Sequence, residues 1–342
     1  MNAPPLCRLH GWQTGAISAP ADGSLVIATY RRPELAVALL AHLVTLEDRP
    51  GEVVVVDGSP DRQTAEAVAT WARDRALPFR LVYVESPAGL TRQRNVGVDA
   101  SHGEIVFFLD DDCRPQPGYF NAIREIFLND QAGAVGAVGG SLINEMSQPL
   151  SWRWRLRFAL RLVPRGEPGR YYPTATSVPR AFIAPFAGER PTDILPGAAF
   201  ACRREVLRRH RFSAFFNGYS QGEDLEMSRR IGRDWRLVWS GDARAVHEPA
   251  PGGRPRSFQK GRMEVRNRYF IWRRYTPQPS VGCRIKLWLD FLLIGACSLA
   301  RGNFAHAGGV LYGAVECLVT PPHYAEPPAR QEYEFSLDPM MQ

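Results

Sequence analysis

Three adjacent carboxylates, Asp110, Asp111 and Asp112, have the strongest chemical signature in this chain. They directly follow an apolar segment at residues 105–109 that is typical of a buried strand. Like charges this close repel one another unless a cation or hydrogen-bond donors compensate them. Mg²⁺ and similar ions take one or two protein carboxylates and fill their other positions with water and substrate phosphates. The triplet therefore indicates a metal that bridges a diphosphate, with a solvated acidic turn as the alternative.

Two other positions invite a chemical and a structural interpretation. His247 follows a strand-like segment at residues 244–246, and a neutral imidazole could complete a divalent site with Asp112 or could only pack. Ser220 and Glu223 have the spacing of a capping box, in which Ser220 caps a helix and Glu223 bonds back to its backbone.

The elements that must position the acidic triplet alternate along the first part of the chain. Apolar strand-like segments alternate with helix-patterned segments, which predicts a doubly wound α/β sheet. The strands are predicted at residues 24–29, 52–56, 80–84 and 104–109, and the helices at 34–46, 62–75 and 90–100. Ligands bind beyond the carboxyl ends of such strands, where the triplet lies.

The second part of the chain is less regular. Residues 147–193 lose periodicity, and we expect an insertion there that lies over the site and influences sugar choice. Regular patterning returns at residues 194–202, followed by a helix at 223–234, a strand at 236–240 and a basic helix at 257–275.

Composition supports one large globular domain with an appendage. The chain has 342 residues, of which 45% are hydrophobic and 23% charged, and its net charge is +7. Residues 254–286 carry ten basic side chains and one acid, so we expect an anionic partner for this part. Scattered cysteines and the lack of a basic-then-apolar leader favour a reduced, cytosolic setting. The longest apolar run, residues 287–300, is shorter than the ~20 residues that cross a bilayer.

Six segments of the chain together resemble the family 2 glycosyltransferases of the GT-A fold, in the order typical of that family. They are residues 26–33 (VIATYRRP), 54–59 (VVVDGS), 89–97 (GLTRQRNVG), 109–112 (LDDD), 195–198 (LPGA) and 222–224 (GED). The resemblance covers roughly residues 24–250. It implies a Rossmann-like mixed, mostly parallel sheet flanked by helices, a C-terminal helical appendage, and inverting transfer from a nucleotide sugar.

The same resemblance divides the chain into parts. Residues 1–23 would be an N-terminal extension, and residues 24–140 the half that binds the nucleotide sugar. Residues 190–250 would form the acceptor and catalytic half, and residues 251–342 a basic helical C-terminal region.

For the donor, the resemblance implies that Thr29, Tyr30 and Asp57 contact the nucleotide base and ribose. Asp57 could instead only form the turn of its Asp-Gly-Ser sequence. Arg94 would lie near the donor phosphates, since an arginine fork suits phosphate oxygens, although an exposed helical arginine is the alternative. Gly197 would allow close approach of backbone to donor or acceptor, or would only form a turn.

For catalysis, the resemblance implies that Asp224 is the general base that removes a proton from the acceptor hydroxyl. The alternative is an acid that stabilises the first turn of a helix. A divalent Mg²⁺ or Mn²⁺ would be held by Asp110, Asp112 and His247, with Asp110 also able to contact the ribose. Asp111 is the position that the family pattern allows to vary.

The expected reaction moves a hexosyl or deoxyhexosyl group from a nucleoside-diphosphate sugar to a saccharide or lipid-linked saccharide, in cell-surface polysaccharide or glycolipid synthesis. Cations and aromatics mix at residues 262–275 ahead of the apolar run, which predicts contact with an anionic membrane. We therefore expect a cytoplasmic enzyme, peripheral on the inner face of the cell membrane. The alternative is a basic helix packed on the catalytic domain with its arginines solvated or paired.

Three other classes compete with a glycosyltransferase. A sugar-phosphate nucleotidyltransferase would carry a glycine-rich loop after its first strand, but residues 28–33 contain no glycine. A nucleic-acid-binding protein would explain the arginines but not a carboxylate triplet that repels phosphate, so no nucleic acid is expected. A non-catalytic membrane scaffold would have no need of the acids at residues 57, 110, 112 and 224.

Overall fold

Four short apolar strands form the parallel centre of the sheet in this computed structural model, which describes residues 11–14, 23–216, 218, 220–250 and 255–323. In chain order the first strands are β1 (Gly11–Thr14), β2 (Gly23–Thr29), β3 (Glu52–Asp57), β4 (Arg80–Glu85) and β5 (Ile105–Asp110). β4, β3, β2 and β5 lie side by side in parallel, and β1 pairs antiparallel with β4. The predicted N-terminal extension thus contributes an edge strand.

Helices cover both faces of these strands because successive strand side chains point to opposite sides. The first four are α1 (Pro33–Thr45), α2 (Gln63–Ala72), α3 (Leu90–Ala100) and α4 (Tyr119–Asn129). Leu25 and Ile27 pack in the core with α1, α2 and α4, whereas Val26 packs in the opposite core with α3. The prediction of an α/β fold with a mixed sheet and flanking helices is confirmed.

The second half extends the sheet with both strand directions. Its elements are β6 (Cys113–Pro115), β7 (Val135–Leu142), β9 (Ala199–Arg203), α6 (Arg204–Arg209), α7 (Glu223–Ile231) and β10 (Arg236–His247). β9 runs antiparallel between β5 and β7, and β10 runs parallel to β7. The strand predicted at residues 236–240 is too short, because β10 continues past an irregular register to His247. This extension pairs His247 with Cys113 and brings it beside the acidic triplet.

The insertion at residues 147–193 is more ordered than the sequence suggests. It contains α5 (Trp152–Ala159), a single 3₁₀ turn (Arg180–Phe182) and β8 (Glu189–Pro191), which pairs with β10. No described residue of this insertion lines the cleft at the strand ends. Its contacts go mainly to the outer edge of the sheet and to the C-terminal helices, although the charge of Arg180 also acts to lower the pKa of Asp224 in the cleft. The expected position of the insertion over the site stays a prediction.

Three helices complete the described chain: α8 (Ser257–Tyr275), α9 (Val281–Leu299) and α10 (Phe304–Val319). They share an apolar core with Phe215, Phe216 and Ala175. A buried ion cluster ties the insertion to these helices, because Asp290 of α9 bonds Arg157 of α5 at 2.7 Å and Arg268 of α8 at 2.5 Å.

Most of the basic helix α8 packs against the rest of the chain. Its aromatic residues Phe270, Trp272 and Tyr275 are buried, and Arg262 and Arg266 contact Glu316 of α10. The alternative of a packed helix with paired arginines therefore describes α8. Within the described part of the chain, no helix combines the length and hydropathy that crossing a bilayer requires.

Candidate active site

The three carboxylates at the end of β5 have different partners. Asp111 accepts hydrogen bonds from the Thr29 hydroxyl at 2.8 Å and from Arg32 at 2.7 Å, and is nearly inaccessible. Burial raises its pKa to about 6, although Arg32 opposes that shift. Asp111 therefore fastens the end of β5 to the end of β2, and its side chain is committed to structure.

Asp112 faces the far end of β10. One of its oxygens lies 3.3 Å from Nε2 of His247, and the other accepts from the Ala250 amide and lies 3.3 Å from Arg32. Nδ1 of His247 is 2.5 Å from Glu145, which orients the imidazole ring. Hydrogen bonds to Asp112 and Glu145 raise the pKa of His247 to about 10. A cation that binds Nε2 must displace the proton from this ring, because histidine coordinates metal only in its neutral form.

The donor set around Asp112 fits a divalent cation. Ligand atoms of Asp112, Cys113 and His247 lie within 4.8 Å of one another. Carboxylate and imidazole groups suit Mn²⁺ or Mg²⁺. Cys113 is fully buried, and burial raises the pKa of its thiol, so it remains a neutral packing residue. Asp110, with a side chain that is 32% exposed, lines the same cleft and is available as a further ligand.

Arg94 lies beneath the cleft and holds its acids in place. Its guanidinium contacts Asp110 at 3.1 Å, Glu223 at 3.3 Å and the Gly197 carbonyl at 2.6 Å. The side chain is 3% exposed and packs against the rings of Phe200 and Phe212. The alternative interpretation of Arg94 as an exposed helical arginine is therefore wrong. A contact between Arg94 and the phosphates of the sugar donor remains a prediction, because the N–H groups of this guanidinium already bond to protein acceptors.

The first turn of α7 places two acids on the opposite wall of the cleft. Gly222 precedes the helix with a φ of 88°, and Glu223 and Asp224 follow it. Burial raises the pKa of Glu223 to about 7 and also raises that of Asp224, against the lowering effects of the Leu225 amide and Arg94. Asp224 accepts from the Leu225 amide at 2.8 Å and lines the cleft.

The predicted capping box is wrong. Ser220 does not cap α7, because its hydroxyl donates to the Phe216 carbonyl at 3.0 Å and the helix begins after Gly222. Glu223 contacts Arg94 and its own backbone amide rather than the amide of Ser220. Glu223 is thus a cleft acid held by an arginine, a role that the capping-box spacing concealed.

Gly197 is packed against the side chain of Asp224. A methyl group at this position would lie 3.3 Å from Cβ and 3.4 Å from Oδ2 of Asp224. We expect Gly197→Ala to displace the Asp224 carboxylate by a few tenths of an ångström and to lower kcat about tenfold to a hundredfold, with little change in donor affinity. Steady-state kinetics measures both. Gly282→Ala is the matched control, because a methyl there meets nothing within 4 Å; an unchanged kcat in Gly197→Ala would contradict the expectation.

The predicted nucleotide contacts separate into two groups. Tyr30 and Thr29 line the cleft, although the Thr29 hydroxyl is already bonded to Asp111. Asp57 is 2% exposed and lies outside the lining; it accepts from the backbone and hydroxyl of Ser59 and from the Tyr83 hydroxyl at 2.7 Å. These contacts form the turn of the Asp-Gly-Ser sequence, while base recognition by Asp57 stays a prediction.

The structure thus gathers most of the proposed site residues around one cleft of about 580 Å³. Those on its lining are Thr29, Tyr30, Asp110, Asp112, Gly197, Asp224 and His247. Asp57 and Arg94 lie behind this wall.

Sequence reasoning missed the residues that support the cleft. Gln93 donates to the carbonyls of Thr29 at 2.7 Å and Val56 at 2.9 Å, so it clamps the ends of β2 and β3. Arg32 compensates Asp111 and Asp112, and Glu145 orients His247. Arg32 and Gln93 lie in the family-like segments, and Arg32 also follows the end of a predicted strand; Glu145 had no sequence signal.

Comparisons with known proteins agree with this geometry. Residues 24–211 match the sequence model of glycosyl transferase family 2. The chain is 22% identical over 241 residues to polypeptide N-acetylgalactosaminyltransferase 13 of Homo sapiens, covering 66% of this chain and 41% of that protein. It is 37% identical over 112 residues to succinoglycan biosynthesis protein ExoM of Rhizobium meliloti (strain 1021), covering 32% and 36%. The matched regions span about two fifths of these curated relatives.

Solved structures support the same fold. A mannosyltransferase from Pyrobaculum calidifontis in complex with GDP-Man and Mn²⁺ superposes with a TM-score of 0.52 at 21% identity, covering 93% of this chain and 85% of that one. GalNAc-T7 with UDP, GalNAc and Mn²⁺ superposes with a TM-score of 0.51 at 15% identity, covering 83% and 59%. The family match includes the acidic triplet and Arg94, whereas Asp224 and His247 lie beyond it. The chain belongs to glycosyl transferase family 2.

Proposed function

We propose that the protein is a metal-dependent inverting glycosyltransferase that moves a sugar from a nucleoside-diphosphate sugar to an acceptor hydroxyl. One observation carries this proposal. The cleft has Asp110, Asp112 and His247 on one wall and Asp224 beside Gly197 on another. A cation-binding group and a free carboxylate thus face the same space. That is the arrangement needed to hold a diphosphate and to deprotonate an incoming hydroxyl.

Asp112 and His247, with help from Asp110, would hold the cation. When bound, a divalent ion neutralises the charge on the departing nucleoside diphosphate. Glu145 keeps the His247 ring oriented, and Arg32 and Arg94 limit repulsion among the acids. Asp224 takes the proton of the acceptor hydroxyl, which attacks the anomeric carbon from the face opposite the diphosphate. No covalent sugar–enzyme bond is required.

The donor's nucleoside would lie along the ends of β2 and β3. Tyr30 lines the cleft there, and Thr29 and Asp57 shape the loops that border it. Arg94 acts on the donor mainly through the position of Asp110 and of the Gly197 backbone. Gly197 leaves room for the donor or acceptor next to Asp224.

The acceptor proposed is a saccharide, free or lipid-linked, in the synthesis of a cell-surface polysaccharide or glycolipid. The partial similarity to a succinoglycan biosynthesis protein supports this class. A lipid-linked acceptor would place the enzyme on the inner face of the cell membrane, where cytoplasmic nucleotide sugars are available.

Thermal unfolding with a panel of nucleoside diphosphates and nucleotide sugars, with and without Mn²⁺, tests the proposal. A ligand at about 100 times its Kd stabilises the folded state by about 2.7 kcal/mol. We expect one nucleotide class to raise Tm only when Mn²⁺ or Mg²⁺ is present, and the matching nucleotide sugar to support transfer to saccharide acceptors. No stabilisation by any nucleotide in either metal would contradict the proposal.

A further inference from the structure

Helix α9 presents an apolar stripe to solvent. Five large side chains on it are between 47% and 73% exposed: Val281, Ile285, Leu289, Leu292 and Leu299. Its opposite side, with Leu287, Phe291 and Ile294, is buried in the core shared with α8. The helix is therefore apolar on both sides, although only one side has a protein partner among the described residues.

Helix α10 repeats this arrangement. Six of its large side chains are between 50% and 74% exposed: Phe304, Leu311, Tyr312, Val315, Leu318 and Val319. Residues 300–303 connect α9 to α10, so the two helices form a hairpin that packs on α8. Phe258 at the start of α8 contacts Tyr312 and extends the same surface. We call these exposed side chains of α9 and α10 the apolar hairpin face.

The described residues of this face include no carboxylate, because both acids of the hairpin contact basic residues inside the protein. The two acids of the hairpin point inward: Asp290 is fully buried between Arg157 and Arg268, and Glu316 bonds Arg262. The exposed charges on the hairpin are basic and lie at its margins. They are Arg284 and Lys286 near the start of α9 and Arg301 in the connecting turn.

A second cavity lies at the start of α9. It measures about 740 Å³ and is bordered by the insertion on its other side. Arg161, Arg165 and Lys286 line it together with apolar residues such as Leu162 and Val163, and no described residue of its lining is acidic. A negatively charged headgroup that carries an apolar chain suits such a lining.

We propose that the apolar hairpin face docks on an anionic phospholipid membrane, with α9 and α10 lying in the interface. Exposed apolar patches of this extent mark interaction surfaces, and lipid acyl chains would cover the stripe while headgroup phosphates meet the cations at its margins. Neither helix has the length and hydropathy to cross the bilayer. A second copy of the chain is disfavoured, because pairing two such faces would bring their basic margins together, and no described residue of either face supplies an exposed acid to offset them.

The apolar hairpin face is separate from the catalytic cleft. No residue of α9 or α10 lines the 580 Å³ cleft. The inference extends the proposed function toward a lipid-linked acceptor, but it depends on residues that transfer chemistry does not use. Membrane binding and catalysis can therefore fail independently.

Flotation of the full chain with vesicles tests the proposal. We expect it to float with phosphatidylcholine vesicles that contain phosphatidylglycerol, to float less with phosphatidylcholine alone, and to lose binding as salt increases. Replacing Leu292 and Val315 together by glutamate should lower the partition coefficient by at least about tenfold, since each side chain loses its burial in lipid. Leu128→Glu on α4 is the matched control, because Leu128 is 76% exposed on the catalytic domain.

A second variant separates charge from apolar contact. Arg161→Gln with Arg165→Gln and Lys286→Gln should remove the preference for anionic vesicles while binding to neutral vesicles persists. The proposal would be overturned if the Leu292/Val315 variant bound vesicles as well as the unmodified chain does. It would also be overturned if the unmodified chain did not float. A dimer that this variant dissociates, without lipid binding by either form, would identify a self-association surface instead. Unchanged Tm and unchanged transfer to a soluble acceptor show that the variants are folded.

Discussion

Replacing Asp224 by asparagine should reduce kcat by about 10²–10⁴-fold, the usual contribution of a general base. The substitution keeps size and removes only the ability to accept a proton, so donor affinity should remain within a small factor of the original. The Asp224 carboxylate lies in the cleft beside Gly197 and accepts a hydrogen bond from the Leu225 amide. Transfer kinetics, together with calorimetric binding of the nucleoside diphosphate, measures the two effects separately.

The pH profile provides a second measure. Burial raises the pKa of Asp224 above that of an ordinary aspartate. A base is active when ionised, so kcat should rise with pH through this raised pKa, and the rise should be missing in Asp224→Asn. Asp242→Asn is the matched control, since Asp242 is half-exposed and outside the cleft. Full activity of Asp224→Asn would refute the assignment of Asp224 as general base. Glu223, the other acid of this turn, would then be the candidate base.

Replacing Asp112 by alanine should abolish the dependence of donor binding on the metal. Even residues that only support a metal ligand typically contribute tenfold to a hundredfold to affinity, so we expect a loss of at least about a hundredfold in nucleoside-diphosphate affinity with Mn²⁺ present. Calorimetry with and without Mn²⁺ or Mg²⁺ measures this difference. Metal-free affinity should not fall, because the substitution removes a charge that repels phosphate.

Two further variants sharpen that experiment. Asp112→Asn keeps the side-chain volume, so a similar loss there excludes a packing effect. Glu145→Gln preserves all three proposed ligands and weakens only the orientation of His247, so a smaller loss of about tenfold is expected. Asp112 would be excluded as a metal ligand if Asp112→Ala and the unmodified protein bound the nucleoside diphosphate equally well, both with and without metal.

Local patterns predicted the strands and the basic helix well. β2, β3, β4 and β5 lie within one residue of their predicted bounds, and α8 has the predicted range. Each of these strands is a buried apolar segment of 6 or 7 residues next to a turn, so its type and position follow from near neighbours in sequence. The insertion at residues 147–193 was not predictable in this way, because its order depends on Arg157 and β8 contacting distant elements.

The acidic triplet shows the same contrast between what the local sequence determines and what only the tertiary structure determines. Its sequence position after an apolar strand already determined that Asp110, Asp111 and Asp112 lie at the carboxyl edge of the sheet. Only the tertiary structure decided their separate partners: Arg94 for Asp110, Thr29 and Arg32 for Asp111, and His247 for Asp112. Those partners come from three other elements, brought together by the order of strands and by the extension of β10 to His247. A side chain's neighbours across a sheet depend on register and topology, which local patterning does not contain.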